Sequence, residues 1–73
     1  MQGFNDVTIS CKLADIINEK DVSIHKLSVK TGIPREKINR LLFNEWRYFE
    51  KAEIERICSY LKIGIEDLFE TIN

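Results

Sequence analysis

The stretch that decides the fold is residues 23–44, SIHKLSVKTGIPREKINRLLFN. Ser23 is a good N-cap, because its hydroxyl can accept a backbone N–H of the first helical turn. Ile24, Leu27 and Ser28 then share one face at helical spacing. Gly32 suits the left-handed residue that follows a helix. Pro34 sits near the first turn of the next helix, where a missing N–H costs little. Ile38, Leu41 and Leu42 line the inner side of that helix, and Asn44 can end it. The result is two helices of about eight residues joined by a tight turn. Ser28, Gly32, Ile33, Ile38 and Leu41 form one packing set: the small residue lets the helices cross closely, the glycine permits the turn, and the aliphatics lock the second helix at a steep angle.

Helical periodicity continues on both sides. Ile9, Leu13, Ile16 and Ile17 mark a first helix over residues 8–19, and Ile54, Ile57, Cys58 and Leu61 a fourth over 51–62. Gly64 breaks the chain, and a last short helix from Ile65 presents Leu68 and Phe69, with Ile72 trailing. No segment sustains strand alternation between turn signals. The sequence therefore predicts an all-α fold of five short helices in a single domain, residues 1–73, with its core over 8–70 and the two-helix unit over 23–43.

Composition narrows the classes of function. Seventy-three residues make one small domain with a modest core, a size at which oligomerisation is open as a source of stability. The hydrophobic share of 44% and charged share of 32% are those of a folded protein and exclude a disordered tail. No apolar run approaches the roughly 20 residues that span a bilayer. The opening MQGFNDVTIS lacks the basic start and apolar stretch of a signal peptide, so a cytoplasmic location is expected. Cys11, Cys58 and His25 are the only residues of their kinds and supply no zinc set, and no cofactor or small-molecule ligand is implied. A reducing cytoplasm favours both thiols free over a Cys11–Cys58 disulfide. There is no nucleophile–base–orienter set, no paired acids with a visible cleft and no phosphate-cradling glycine loop, so catalysis is not expected.

Net charge is −1, but its distribution is uneven. Residues 1–19 carry net −2, residues 20–47 net +4 and residues 48–73 net −3. The middle third has the local positive field that contact with phosphates needs.

The stretch 23–44 resembles the helix-turn-helix of the phage repressor/Cro-like (xenobiotic-response-element) family. Residues 52–70, AEIERICSYLKIGIEDLFE, are similar to the two helices that follow it there, including the phrases Ile57-Cys58 with Leu61, and Asp67-Leu68. The resemblance covers roughly residues 9–70 and implies binding of duplex DNA, usually as a homodimer on a two-fold operator, in transcriptional control. It departs from the family pattern twice. Pro34 stands where Ser or Thr commonly caps the recognition helix, and Phe43-Asn44 where Asn-Gly usually ends it.

The resemblance implies a recognition helix over 34–43 in the major groove, with base contacts from Arg35, Glu36, Lys37, Asn39 and Arg40. With Ile38 pointing inward, 100° per residue turns Glu36 and Arg40 almost directly outward, with Lys37 and Asn39 on the flanks. Arg35 lies nearer the buried side but can reach past the helix end. Arg40 and Lys37 can donate to guanine, Asn39 can pair with adenine, and Glu36 can accept from cytosine. The plainer alternative for Glu36 and Arg40 is an i,i+4 surface pair. Phosphate contacts are expected from Ser23, His25 and Lys26 at the start of the second helix, and from Arg47 and Tyr48 in the loop. For His25 a solvated helix position is the equal alternative.

The loop FNEWRYF, residues 43–49, holds four aromatic rings. Phe49 is expected to staple onto the fourth helix. Trp46 either folds over the core rim or serves a protein contact, and Phe43, about 140° from Ile38, turns towards the outside. At the other end Ile65, Leu68, Phe69 and Ile72 form a candidate dimer surface, the alternative being that they close the bottom of the core. Two further readings stand beside a DNA-binding regulator. One is a protein-interaction module, such as an antirepressor or inhibitor, that keeps the fold without strong DNA binding. The other is the DNA-reading piece of a longer regulator.

Overall fold

Residues 8–72 are described by a computed structural model. Along the chain run β1 (Thr8–Cys11), α1 (Leu13–Glu19), α2 (Ile24–Thr31), α3 (Arg35–Leu42), α4 (Lys51–Leu61), α5 (Ile65–Leu68) and β2 (Phe69–Ile72). Five helices are present in the expected order, but the first, expected over 8–19, begins only at Leu13, and the last ends at Leu68, before Phe69. The two strands are not in the sequence reading. β1 and β2 pair antiparallel, Thr8 opposite Ile72 and Cys11 opposite Phe69. The all-α expectation is thereby corrected to a helical fold carrying a two-stranded sheet. Thr8, Ile9, Phe69, Thr71 and Ile72 are β-branched or aromatic, types that fit a pleated surface. Ile9 matched a helical spacing with Leu13 only by coincidence, and it is 54% exposed. The next N–H, from Lys12, donates to Leu68 O (2.7 Å), which joins the sheet to α5.

The core is built from one face of every helix. Leu13, Leu27, Ile38, Leu41, Ile57 and Leu68 are fully buried, with Ile33 of the turn and Cys11 of β1 beside them. Each large aliphatic placed there contributes about 1.5–3 kcal/mol by leaving water. Leu68 therefore belongs to the core and leaves the candidate dimer surface. Cys11 and Cys58 are both free thiols, and burial raises the pKa of each.

Helix ends are set locally. Ser23 Oγ accepts the Lys26 N–H (3.0 Å), and Gly32 adopts φ 74° while its N–H donates to Ser28 O (2.8 Å). A Cβ at Gly32 would meet no atom within 4 Å, so the backbone angle, rather than space, calls for glycine. Asn44 ends α3 with φ 56°, a conformation that asparagine tolerates better than most residues. Its Oδ1 accepts the Cys11 N–H (2.7 Å), tying β1 to the exit of α3. α4 ends at Leu61 on a left-handed Lys62 (φ 59°), and Gly64 instead opens α5, its N–H donating to Asp67 Oδ2 (3.1 Å).

Candidate nucleic-acid interface

α2 and α3 meet across a turn of three residues, Gly32, Ile33 and Pro34, that is fastened at several points. Ser28 Oγ–H donates to Ile33 O (2.6 Å), so the small residue expected at the crossing also bonds across it. Thr31 is buried and its hydroxyl donates to Leu27 O (2.7 Å). From α4, Arg56 Nε–H donates to Thr31 O (2.8 Å), placing a cation on the carbonyl end of α2. The turn thus holds α3 at one angle to the rest of the domain.

Ile38 and Leu41, both at 0% exposure, define the inward direction of α3. Measured from the line between them at 100° per residue, Glu36 and Phe43 lie about 170° away, opposite the core. Arg40 and Asn39 lie about 130° away, Arg35 about 90°, and Lys37 and Leu42 only about 70°. The observed exposure follows this order for most of them: Arg35, Glu36, Arg40 and Phe43 are exposed, while Lys37, Asn39 and Leu42 are half-buried.

Lys37 differs most from its expected role. Its Nζ donates to both carboxylate oxygens of Glu53 (2.7 and 2.9 Å) and lies 5.0 Å from the centre of the Phe49 ring. Glu53 is itself buried at 7% exposure and also accepts the Glu50 N–H (3.1 Å), closing the first turn of α4. The Lys37 ammonium, with Glu50 and Arg56 assisting, holds the Glu53 carboxyl below its ordinary pKa against the opposing effect of burial. Lys37 thus clamps α3 to α4, and the outward flank assigned to it from Ile38 alone is corrected by the added reference of Leu41. Sequence reasoning missed Glu53. Its signal is a Glu three residues into a helix, the position from which a carboxylate reaches back to the N-cap N–H.

The phosphate candidates fall into two groups. Ser23, His25 and Lys26 are exposed around the first turn of α2, and Ser23 lines a groove shared with Ile17, Val22 and Leu42. Arg47 and Tyr48 line a second concavity with Arg40, Lys37, Trp46 and Phe49, and Tyr48 is 77% exposed. Arg40, Arg47 and Tyr48 are thus brought together beside α3.

The aromatic loop divides. Trp46 is half-buried, its ring 5.4 Å from Phe69 and 6.5 Å edge-on from Phe49, so it seals the rim between the loop and β2. Phe43 is 71% exposed. Of the remaining dimer candidates, Phe69 is half-buried under Trp46, while Ile65 (60%) and Ile72 (51%) are exposed. Among the described residues no helix is long and apolar enough to cross a membrane, and no group of three or more His, Cys, Asp or Glu is placed to hold a metal ion.

Comparison with known proteins adds the family. The crystal structure of transcriptional regulator VanUg superposes with a TM-score of 0.75 at 20% identity, covering 99% of this chain and 95% of that one. Likeness at that identity establishes a shared fold. No curated protein sequence matches the chain. The Cro/C1-type HTH DNA-binding domain family matches residues 10–73, a span that takes in the capped α2, the glycine turn, α3 and both following helices. With that match over most of its length, the chain belongs to the Cro/C1-type helix-turn-helix DNA-binding domain family.

Proposed function

We propose that this protein is a sequence-specific duplex-DNA-binding regulator of transcription, acting as a non-enzymatic homodimer in the cytoplasm with α3 in the major groove. The observation that carries the proposal is the pairing of a buried Ile38/Leu41 face with an outward Glu36 and Arg40 on the second helix of a rigid helix-turn-helix. Arg40 donates to guanine and Glu36 accepts from cytosine, with Arg35 and Asn39 at the edges of the contact. Arg47 and Tyr48, next to Arg40, take backbone phosphate; Ser23, His25 and Lys26 do so at the start of α2, where helix N–H groups also favour an anion. Repression by occupying a promoter is the simplest outcome for a domain with no other evident activity.

One such domain reads few bases, so two copies on a two-fold site are expected. Ile65 and Ile72, with Ile9 opposite Thr71 on the paired strand, are the exposed aliphatics suited to that contact. Both strands of a two-stranded sheet are edges and can accept a further strand.

Selection of bound duplexes from a random pool tests the reading. A palindrome with half-sites about one helical turn apart supports both the function and the dimer. Affinity should fall steeply with salt, the logarithmic slope dropping by about 0.9 for each phosphate contact removed, as in Arg47→Ala. The protein-interaction reading draws on the exposed Phe43 and on the loss of Lys37 from the positive field. It prevails if no duplex is bound at low salt.

A further inference from the structure

We infer that Phe43 is a specificity residue that packs against the C5-methyl group of a thymine at the C-terminal end of the reading helix; this rests on the proposed DNA-binding function. Phe43 has helical placement although it lies one residue beyond α3. Its N–H still donates to Asn39 O (3.0 Å), and its φ and ψ are −96° and 5°. It therefore continues the screw of α3 and falls on the same line as Glu36, opposite Ile38 and Leu41. Seven residues at 1.5 Å each separate the two along the axis, about 10 Å, or roughly three base-pair steps.

Phe43 differs from the other rings of its loop. Trp46 and Phe49 pack on each other and on the core, and Tyr48 carries a hydroxyl that can meet phosphate. Phe43 has no polar atom on its side chain and is 71% exposed. It can form no hydrogen bond to a phosphate or a base edge, so in a major groove its complement is apolar. The thymine methyl is the apolar group that the base edges present there. Being next to Asn44, whose left-handed backbone and bond to Cys11 fix the exit of the helix, the ring is attached to a rigid point.

The test compares thymine with deoxyuridine, which lacks only the methyl group, at each position of a duplex selected by the wild-type protein. At one thymine in each half-site, replacement should weaken wild-type binding about threefold to fivefold, the factor that burial of one methyl supplies. Phe43→Ala should bind the thymine and deoxyuridine duplexes equally, and Phe43→Leu should retain part of the difference. The circular dichroism and sedimentation of both variants should match wild type. Wild-type binding that ignores every methyl while still selecting a duplex overturns the assignment and leaves the DNA-binding function standing. Loss of self-association in Phe43→Ala also overturns it, by assigning the ring to a protein contact. Failure of the wild type to bind any duplex overturns both.

Discussion

Replacing Lys37 by Met removes the ammonium that lies 5.0 Å from the centre of the Phe49 ring and keeps most of the apolar stem. Glu53 then loses its two shortest hydrogen bonds and keeps only the Glu50 N–H, while remaining 7% exposed. Removing one partner of a fully buried ion pair costs about 3–5 kcal/mol. The Lys37 side chain is 28% exposed, so water can partly replace it, and the expected loss falls to about 2 kcal/mol. In a domain of this size that lowers Tm by about 8–16 °C. The exposed pair Lys51–Glu55, at 3.9 Å, provides an internal control: Lys51→Met should cost less than about 0.5 kcal/mol. Urea unfolding of the two variants, of Glu53→Gln and of the Lys37→Met/Glu53→Gln double mutant gives the coupling energy of the pair directly. The same variants report on function, because a lysine that clamps α3 contributes no base or phosphate contact of its own. Under conditions where Lys37→Met is fully folded, its salt dependence on DNA should equal that of wild type. A stability loss as small as that of Lys51→Met, or a salt slope reduced by about one phosphate, would refute the clamp.

Four other outcomes follow from the described contacts. Because Lys37 depresses the Glu53 pKa in the folded state, this pair stabilises the protein at neutral pH and ceases to do so as pH falls through the ordinary carboxylate range and below; the stability difference between wild type and Glu53→Gln should shrink over that window in acid titrations. Asn44→Ala loses both the bond to Cys11 N–H and a residue suited to φ 56°, costing about 2 kcal/mol by urea denaturation, whereas Asn44→Gly should lose only about 1 kcal/mol. Ile65→Asp combined with Ile72→Asp should leave the helical circular dichroism intact and shift sedimentation of the proposed dimer to the monomer; a dimer that persists places the contact elsewhere. In the folded protein a thiol reagent should label half-buried Cys58 well before buried Cys11, and equal rates would contradict the described packing.

What the sequence made legible was what short-range chemistry governs. Ser23, Gly32 and Asn44 announce their backbone roles by side-chain type, and Ile38 and Leu41 announce theirs by spacing. Relations across long separations were not legible. Strands of four residues carry too little alternation to be recognised, and their pairing joins the two ends of the described chain. Ile9 fitted a helix on spacing, and Leu68 fitted an interface on composition. Only the three-dimensional arrangement puts the first on a strand and the second in the core. Lys37 stands on the flank in a helical projection referred to Ile38 alone, and its partner Glu53 lies on another helix, sixteen residues away. The direction of α3 relative to its neighbours, which no single helix encodes, is what brings Lys37 to Glu53.

The bond from Asn44 to Cys11 also has a mechanical meaning. It fixes the sheet to one end of a rod, α3, whose eight residues make it about 12 Å long. A second copy seated on the sheet would therefore steer the far end of that rod through a lever. Rotating the sheet by about 10° about this anchor would carry Arg35 about 2 Å sideways over the length of the helix. A displacement of that size breaks a hydrogen bond to a base. Tolerance to altered half-site spacing would then depend on how that one side-chain amide balances the Lys37–Glu53 pair and the Ser28–Ile33 bond, which hold the same helix to the rest of the domain.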